Sequence, residues 1–104
     1  MKTLIKNGTL VTAESSFQAD LLIEGEHIIQ IAPSIEAIDA EVVDASGQLV
    51  LPGGIDAHVH INLPMGETVS SDDYYTGSKA AAFGGTTTII DFVSQDAGSL
   101  AENI

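Results

Sequence analysis

Two of the chain's three histidines, His58 and His60, stand one residue apart. They lie in the run Leu51-Pro52-Gly53-Gly54-Ile55-Asp56-Ala57-His58-Val59-His60. Side chains on a strand alternate between its faces, so positions i and i+2 share a face. A strand over residues 55–60 would point Asp56, His58 and His60 one way and Ile55, Ala57 and Val59 the other. Two imidazoles about 6–7 Å apart along a strand can converge on one metal ion. The same triplet would also describe two surface histidines on an edge strand. Its place at the C-terminal end of a strand that opens an α/β unit favours the metal, because such folds gather their active sites there. A catalytic zinc site needs about three protein ligands and a water, so the pair is not a complete site. His27 falls in an earlier β-rich region and reads as a turn-flanking surface residue. Asp56 has two open readings: a carboxylate that orients an imidazole, or one that ends the turn.

The other candidates lie downstream. The loop Leu63-Pro64-Met65-Gly66 leaves the histidine strand and reads as an apolar wall of a substrate pocket. Asp91 ends the next strand, near the same mouth; it has two readings, support of the site or a cap on the following loop, and the cap is favoured. Of Tyr74 and Tyr75, one should pack inward and the other face solvent, with neither catalytic. Gly84-Gly85-Thr86-Thr87-Thr88 lacks the lysine and the glycine spacing of a phosphate loop, and reads as a helix stop followed by a strand.

The elements that position these residues form two regions. Residues 2–6 read as a strand, Asn7-Gly8 as a tight turn, and Thr9–Thr12 as its partner strand. Ala19–Glu24 and His27–Ile31 pair across Gly25-Glu26 in a second hairpin. Pro33–Ala40 is loop-like. Short strands at Glu41–Asp44 and Gln48–Leu51 complete an antiparallel β-rich layer over residues 1–51. From Pro52 the pattern becomes strand, loop (Ile61–Ser70), helix (Tyr74–Phe83) and strand (Thr86–Val93). Ser71-Asp72-Asp73 supplies helix-start chemistry, and Gly84-Gly85 stops the helix. The β-branched run after it predicts a buried parallel strand. Ser99–Glu102 has capping-box spacing, which starts a further helix near residue 100. A lone parallel strand pair has open edges and half-covered faces. The expectation is therefore the N-terminal part of a longer chain, inactive alone.

The totals bound the partners. The 104 residues are 44% hydrophobic, without cysteine, with three Lys+Arg against fifteen Asp+Glu and a formal charge of −12. That composition is globular. It excludes a disulfide scaffold and thiolate metal sites, and it suits a reducing compartment. Its charge makes nucleic acid and anionic membranes poor partners. No apolar run reaches the roughly 18–20 residues of a membrane span, and the first residues carry no signal-peptide core. A cytoplasmic location is the default expectation.

Residues 52–60, Asp72-Asp73-Tyr74, and Ala81-Ala82-Phe83-Gly84-Gly85-Thr86-Thr87-Thr88-Ile89-Ile90-Asp91-Phe92 resemble the start of a dihydropyrimidinase/D-hydantoinase. These are cyclic amidohydrolases of the amidohydrolase superfamily. Ile5-Lys6-Asn7-Gly8 and Leu49-Val50-Leu51-Pro52 are also similar, so the resemblance spans essentially the whole chain. The Pro-Gly-Gly-Ile-Asp-x-His-x-His run marks the wider group. Gly84–Phe92, with the Leu63-Pro64-Met65 loop, narrows it towards hydantoinases and dihydropyrimidinases, away from allantoinases and dihydroorotases. The resemblance implies an α/β fold with a β-sandwich. Residues 1–51 would supply N-terminal sandwich strands, and residues 52–104 the first units of a TIM-like (β/α)8 barrel. It implies a binuclear site with two Zn2+, in which His58 and His60 bind the more buried metal. A carboxylated lysine bridge, two further histidines and an aspartate base would lie beyond residue 104. Lys79, on the helix before the second strand, is not that lysine. The implied reaction opens a dihydropyrimidine or hydantoin ring by attack of a metal-bridging hydroxide on the amide carbon. The implied partner is a small cyclic amide or imide, and the implied full-length assembly a homotetramer. Leu63 and Met65 match positions lining the pocket around the substrate's exocyclic group. An allantoinase- or dihydroorotase-type enzyme is one alternative. Another is a dihydropyrimidinase-related interaction protein, but such proteins lack the metal histidines, and His58 and His60 are present.

Overall fold

The computed structural model describes residues 1–92. The backbone separates into two compact units, Met1–Pro52 and Gly53–Ile104.

The first unit is a sheet of five strands: β1 (Lys2–Val11), β2 (Ser16–Glu24), β3 (His27–Ala32), β4 (Ala40–Asp44) and β5 (Leu49–Val50). Their order is β3-β2-β1-β4, with β5 also paired to β1. The β2–β3 hairpin forms as expected, and Gly25 takes the positive φ that its turn requires. Two expectations fail. β4 and β5 pair with β1 in parallel, so the sheet is mixed and not antiparallel. Asn7-Gly8 is not a hairpin turn, because β1 runs straight through it. Asn7 adopts φ 67° as part of a bulge, where three residues of β1 advance against two of β2.

The bulge has a packing consequence. Leu4 and Leu10 are six residues apart and would share a face of a regular strand. The extra residue turns Leu10 to the opposite face. Leu4 accordingly packs with Leu22 and Ile35, and Leu10 with Ala19 and Leu21. Gly8 lets β5 approach: a Cβ there would stand 2.6 Å from Val50 Cγ2. Beside the bulge lies Asp20, 2% exposed. It accepts from Lys6 Nζ at 2.7 Å and from the backbone N–H groups of Asn7 and Ile35, each at 2.9 Å. Lys6 Nζ also donates to the Ile35 carbonyl. The lysine ion pair, with the two amide donors behind it, lowers the Asp20 pKa to about 2. A segment without regular structure is thus tied to the sheet at Ile35.

The second unit contains β6 (Gly54–Val59), β7 (Pro64–Met65), β8 (Thr68–Val69), α1 (Tyr74–Phe83) and β9 (Thr86–Asp91). β6 and β9 pair in parallel, with α1 between them in sequence. Gly53 permits this pairing, because a Cβ there would overlap the Thr87 side chain. α1 begins on a reciprocal cap. Asp73 Oδ1 accepts from the Thr76 N–H at 2.8 Å, and Thr76 Oγ1 accepts from the Asp73 N–H. Gly84 caps its end, and Gly85 follows at φ 88°. β7 and β8 form a small hairpin over Gly66, within the stretch expected to be a plain loop.

The buried-strand expectation for β9 is not met. Ile90 is half exposed and α1 buries no residue. A parallel pair is buried only when both of its faces are covered, and among the described residues one helix and one partner strand lie against β9. The further helix expected near residue 100, and Val93, fall outside the described residues.

Candidate metal centre

His58 belongs to β6, and His60 follows the strand's last residue. The rings converge, with Nε2 of His58 3.1 Å from Nε2 of His60. Their centroids are 5.1 Å apart and their planes cross at 73°. Two nitrogens each 2.0–2.1 Å from a zinc ion and separated by that distance subtend about 100°, close to the tetrahedral value. The donor chemistry and the spacing therefore fit two ligands of one ion. Among the described residues no group of three or more His, Cys, Asp or Glu side chains forms.

Strict alternation does not position the pair. Between Asp56↔Ile89 and Val59↔Asp91, β6 advances three residues while β9 advances two. This is a bulge at Ala57-His58, and bulges re-aim side chains. Val59 was expected opposite Asp56 and His60. Instead all three line one open cleft of about 470 Å³, with Ser70 and Asp72. Past His60 the chain turns at Asn62, which adopts φ 54°, and the Asn62 N–H donates to the Asp72 carbonyl. Asparagine is among the residues that tolerate this region.

Asp56 Oδ1 accepts from the backbone N–H of His58 at 3.2 Å. Its described contact is with the histidine's backbone rather than its ring. Leu63 and Met65 do not line the cleft beside His60. Leu63 is half-buried, and its N–H and C=O both bond to Ser70. Met65 is half exposed on β7.

One residue not foreseen for the site, Phe92, stands against the pair. Phe92 stacks on His58 with centroids 4.0 Å apart and planes 17° from parallel, and meets His60 at its edge. Asp91 does more than cap a loop. Its Oδ2 accepts from Tyr74 Oη at 2.6 Å, and its Oδ1 from the Phe92 N–H at 2.7 Å. The phenol hydrogen bond holds the Asp91 carboxyl below its usual range and raises the Tyr74 phenol above its own. Both tyrosines are exposed, so neither packs inward as expected. Seventeen residues separate Tyr74 from Asp91, and no local spacing marks such a pair. The position of Asp91 at the strand end, shared with the mouth of β6, was the available signal.

Residues 49–104 match the model of the amidohydrolase family. A D-hydantoinase of Geobacillus stearothermophilus is 53% identical over 98 residues, which cover 94% of this chain and 21% of that protein. Dihydropyrimidinase 2 of Caenorhabditis elegans is 50% identical over 94 residues, covering 89% of this chain and 18% of the relative. The crystal structure of a dihydropyrimidinase from Brevibacillus agri superposes with a TM-score of 0.89 at 53% identity, over 99% of this chain and 23% of that one. The chain spans about a fifth of the length of the curated relatives it matches. With a family model covering more than half of its residues and convergent histidines inside the matched region, the chain belongs to the amidohydrolase family.

Proposed function

We propose that this chain carries the first two metal ligands of a cyclic-amide hydrolase of the D-hydantoinase/dihydropyrimidinase type. The observation that carries the reading is the 3.1 Å approach of the His58 and His60 Nε2 atoms, in a chain about half identical to proteins of those names. Residues 1–51 are the N-terminal strands of a β-sandwich, and residues 52–104 open a (β/α)8 barrel. The rest of the barrel would supply the remaining ligands and the base. The full-length protein then holds two zinc ions per site, assembles as a homotetramer, and works in the cytoplasm. The 104 residues alone are inactive.

The roles of this chain's residues follow from their positions. His58 and His60 each present a ring nitrogen to the same point. Asp56, through the His58 N–H, fixes the backbone that carries the first ring. A divalent metal held there supplies Lewis acidity towards an amide carbonyl and towards water. Leu63 and Met65, on the segment that leaves the metal strand but outside the cleft at His60, would wall the exocyclic substituent of the ring once the rest of the barrel completes the pocket.

Assay of the full-length protein on dihydrouracil and hydantoin tests the reading. Ring opening that is lost on chelation and restored by zinc is the expected result. A full-length protein that opens neither ring with zinc bound overturns it. So does ring opening by the isolated 104 residues, because it would place a complete site within them.

A further inference from the structure

We propose that Phe92 is a positioning residue for His58, and that the Tyr74–Asp91 pair holds Phe92 in place; the inference rests on the metal reading of the histidine pair. An imidazole turns broadly about χ2, because a terminal sp³–sp² torsion has no sharp wells. Free rotation would swing His58 Nε2 away from its partner nitrogen 3.1 Å off. Phe92 lies as a plate on one face of that ring, 4.0 Å between centroids and 17° from parallel. Stacking of this kind leaves the ring edge, and so Nε2, free. The same phenyl meets His60 at 5.3 Å and 64°, so one side chain touches both rings.

Phe92 follows the last residue of β9 and is half exposed, so burial does not fix it. Asp91 does. One carboxylate oxygen accepts from the Phe92 N–H and the other from Tyr74 Oη. Tyr74 is the first residue of α1, whose start is set by the Asp73–Thr76 cap. The order of contacts is helix start, carboxylate, phenyl, imidazole. Groups that orient a metal-binding histidine commonly change metal affinity 10–100-fold when removed.

The test uses the full-length protein, which supplies the remaining metal ligands, with 13C-labelled histidine and the variants Phe92→Leu, Phe92→Tyr and Tyr74→Phe. Without metal, the His58 ring protons should resonate upfield of those of His27, which is exposed on β3. Phe92→Leu should move them to the His27 position, and Phe92→Tyr should leave them upfield. Tyr74→Phe should shift them part of the way. The zinc dissociation constant should rise about ten-fold in Phe92→Leu and stay near the parent value in Phe92→Tyr. Unshifted His58 resonances in the parent overturn the proposal, as does a Phe92→Tyr variant that behaves like Phe92→Leu. A parent with upfield His58 signals that takes up no zinc refutes the metal reading and leaves the stack standing, so the two failures are distinct.

Discussion

Ile35 and Ile38 are three residues apart in a segment with no regular structure, and the same truncation should cost much at one and little at the other. Ile35 is 3% exposed and packs on Leu4 and Leu22, while Ile38 is 99% exposed. Ile35→Ala removes three buried carbons, about 2.4 kcal/mol at ~0.8 kcal/mol each. Incomplete collapse around the space they leave brings the cost to about 3 kcal/mol. Ile38→Ala should stay within about 0.5 kcal/mol. A loss of 3 kcal/mol speeds exchange through cooperative opening by about 150-fold. Amide hydrogen exchange of β1 and β2, followed by NMR on the intact chain, reads that difference for the first unit alone. Equal rates in the two variants would refute the claim that Ile35 closes one face of the sheet.

Three further outcomes follow from the same contacts. The Asp20 carboxyl is depressed from its ordinary 3.8 to about 2, so its stabilising contribution is complete above pH 3.8 and is lost as the pH falls through about 2; a carboxyl-carbon titration midpoint near 3.8 would contradict the cluster with Lys6. Gly8→Ala should destabilise the first unit by about 1–3 kcal/mol through the contact with Val50, and Val50→Ala should relieve much of that loss; additive effects in a double-mutant cycle would remove the steric explanation. Asp73→Ala should speed amide exchange in the first turn of α1 about five-fold, and an unchanged Thr76 amide would show that the cap is idle.

The local features were legible in the sequence, and the non-local ones were not. Gly25-Glu26, the cap chemistry before Tyr74 and the stop at Gly84-Gly85 each act within a few residues, so residue type alone specifies them. Asn7-Gly8 shows the limit of that logic. A positive φ at asparagine serves a hairpin turn and a bulge equally, and only pairing with distant β2, β4 and β5 decides between them. Ile35 looked like a loop residue because its burial depends on Leu4 and Leu22. The histidine pair was visible from its spacing. What aims it was not: a bulge in β6, and Phe92 and Asp91 at the end of another strand.

Zinc content of the full-length protein and of its His58→Ala and His60→Ala variants, measured by elemental analysis after dialysis, tests the central claim most directly. Two nitrogens 3.1 Å apart on one ion predict that either substitution alone removes the same zinc equivalent. Zinc content unchanged from the parent in either variant would contradict a shared metal at His58 and His60.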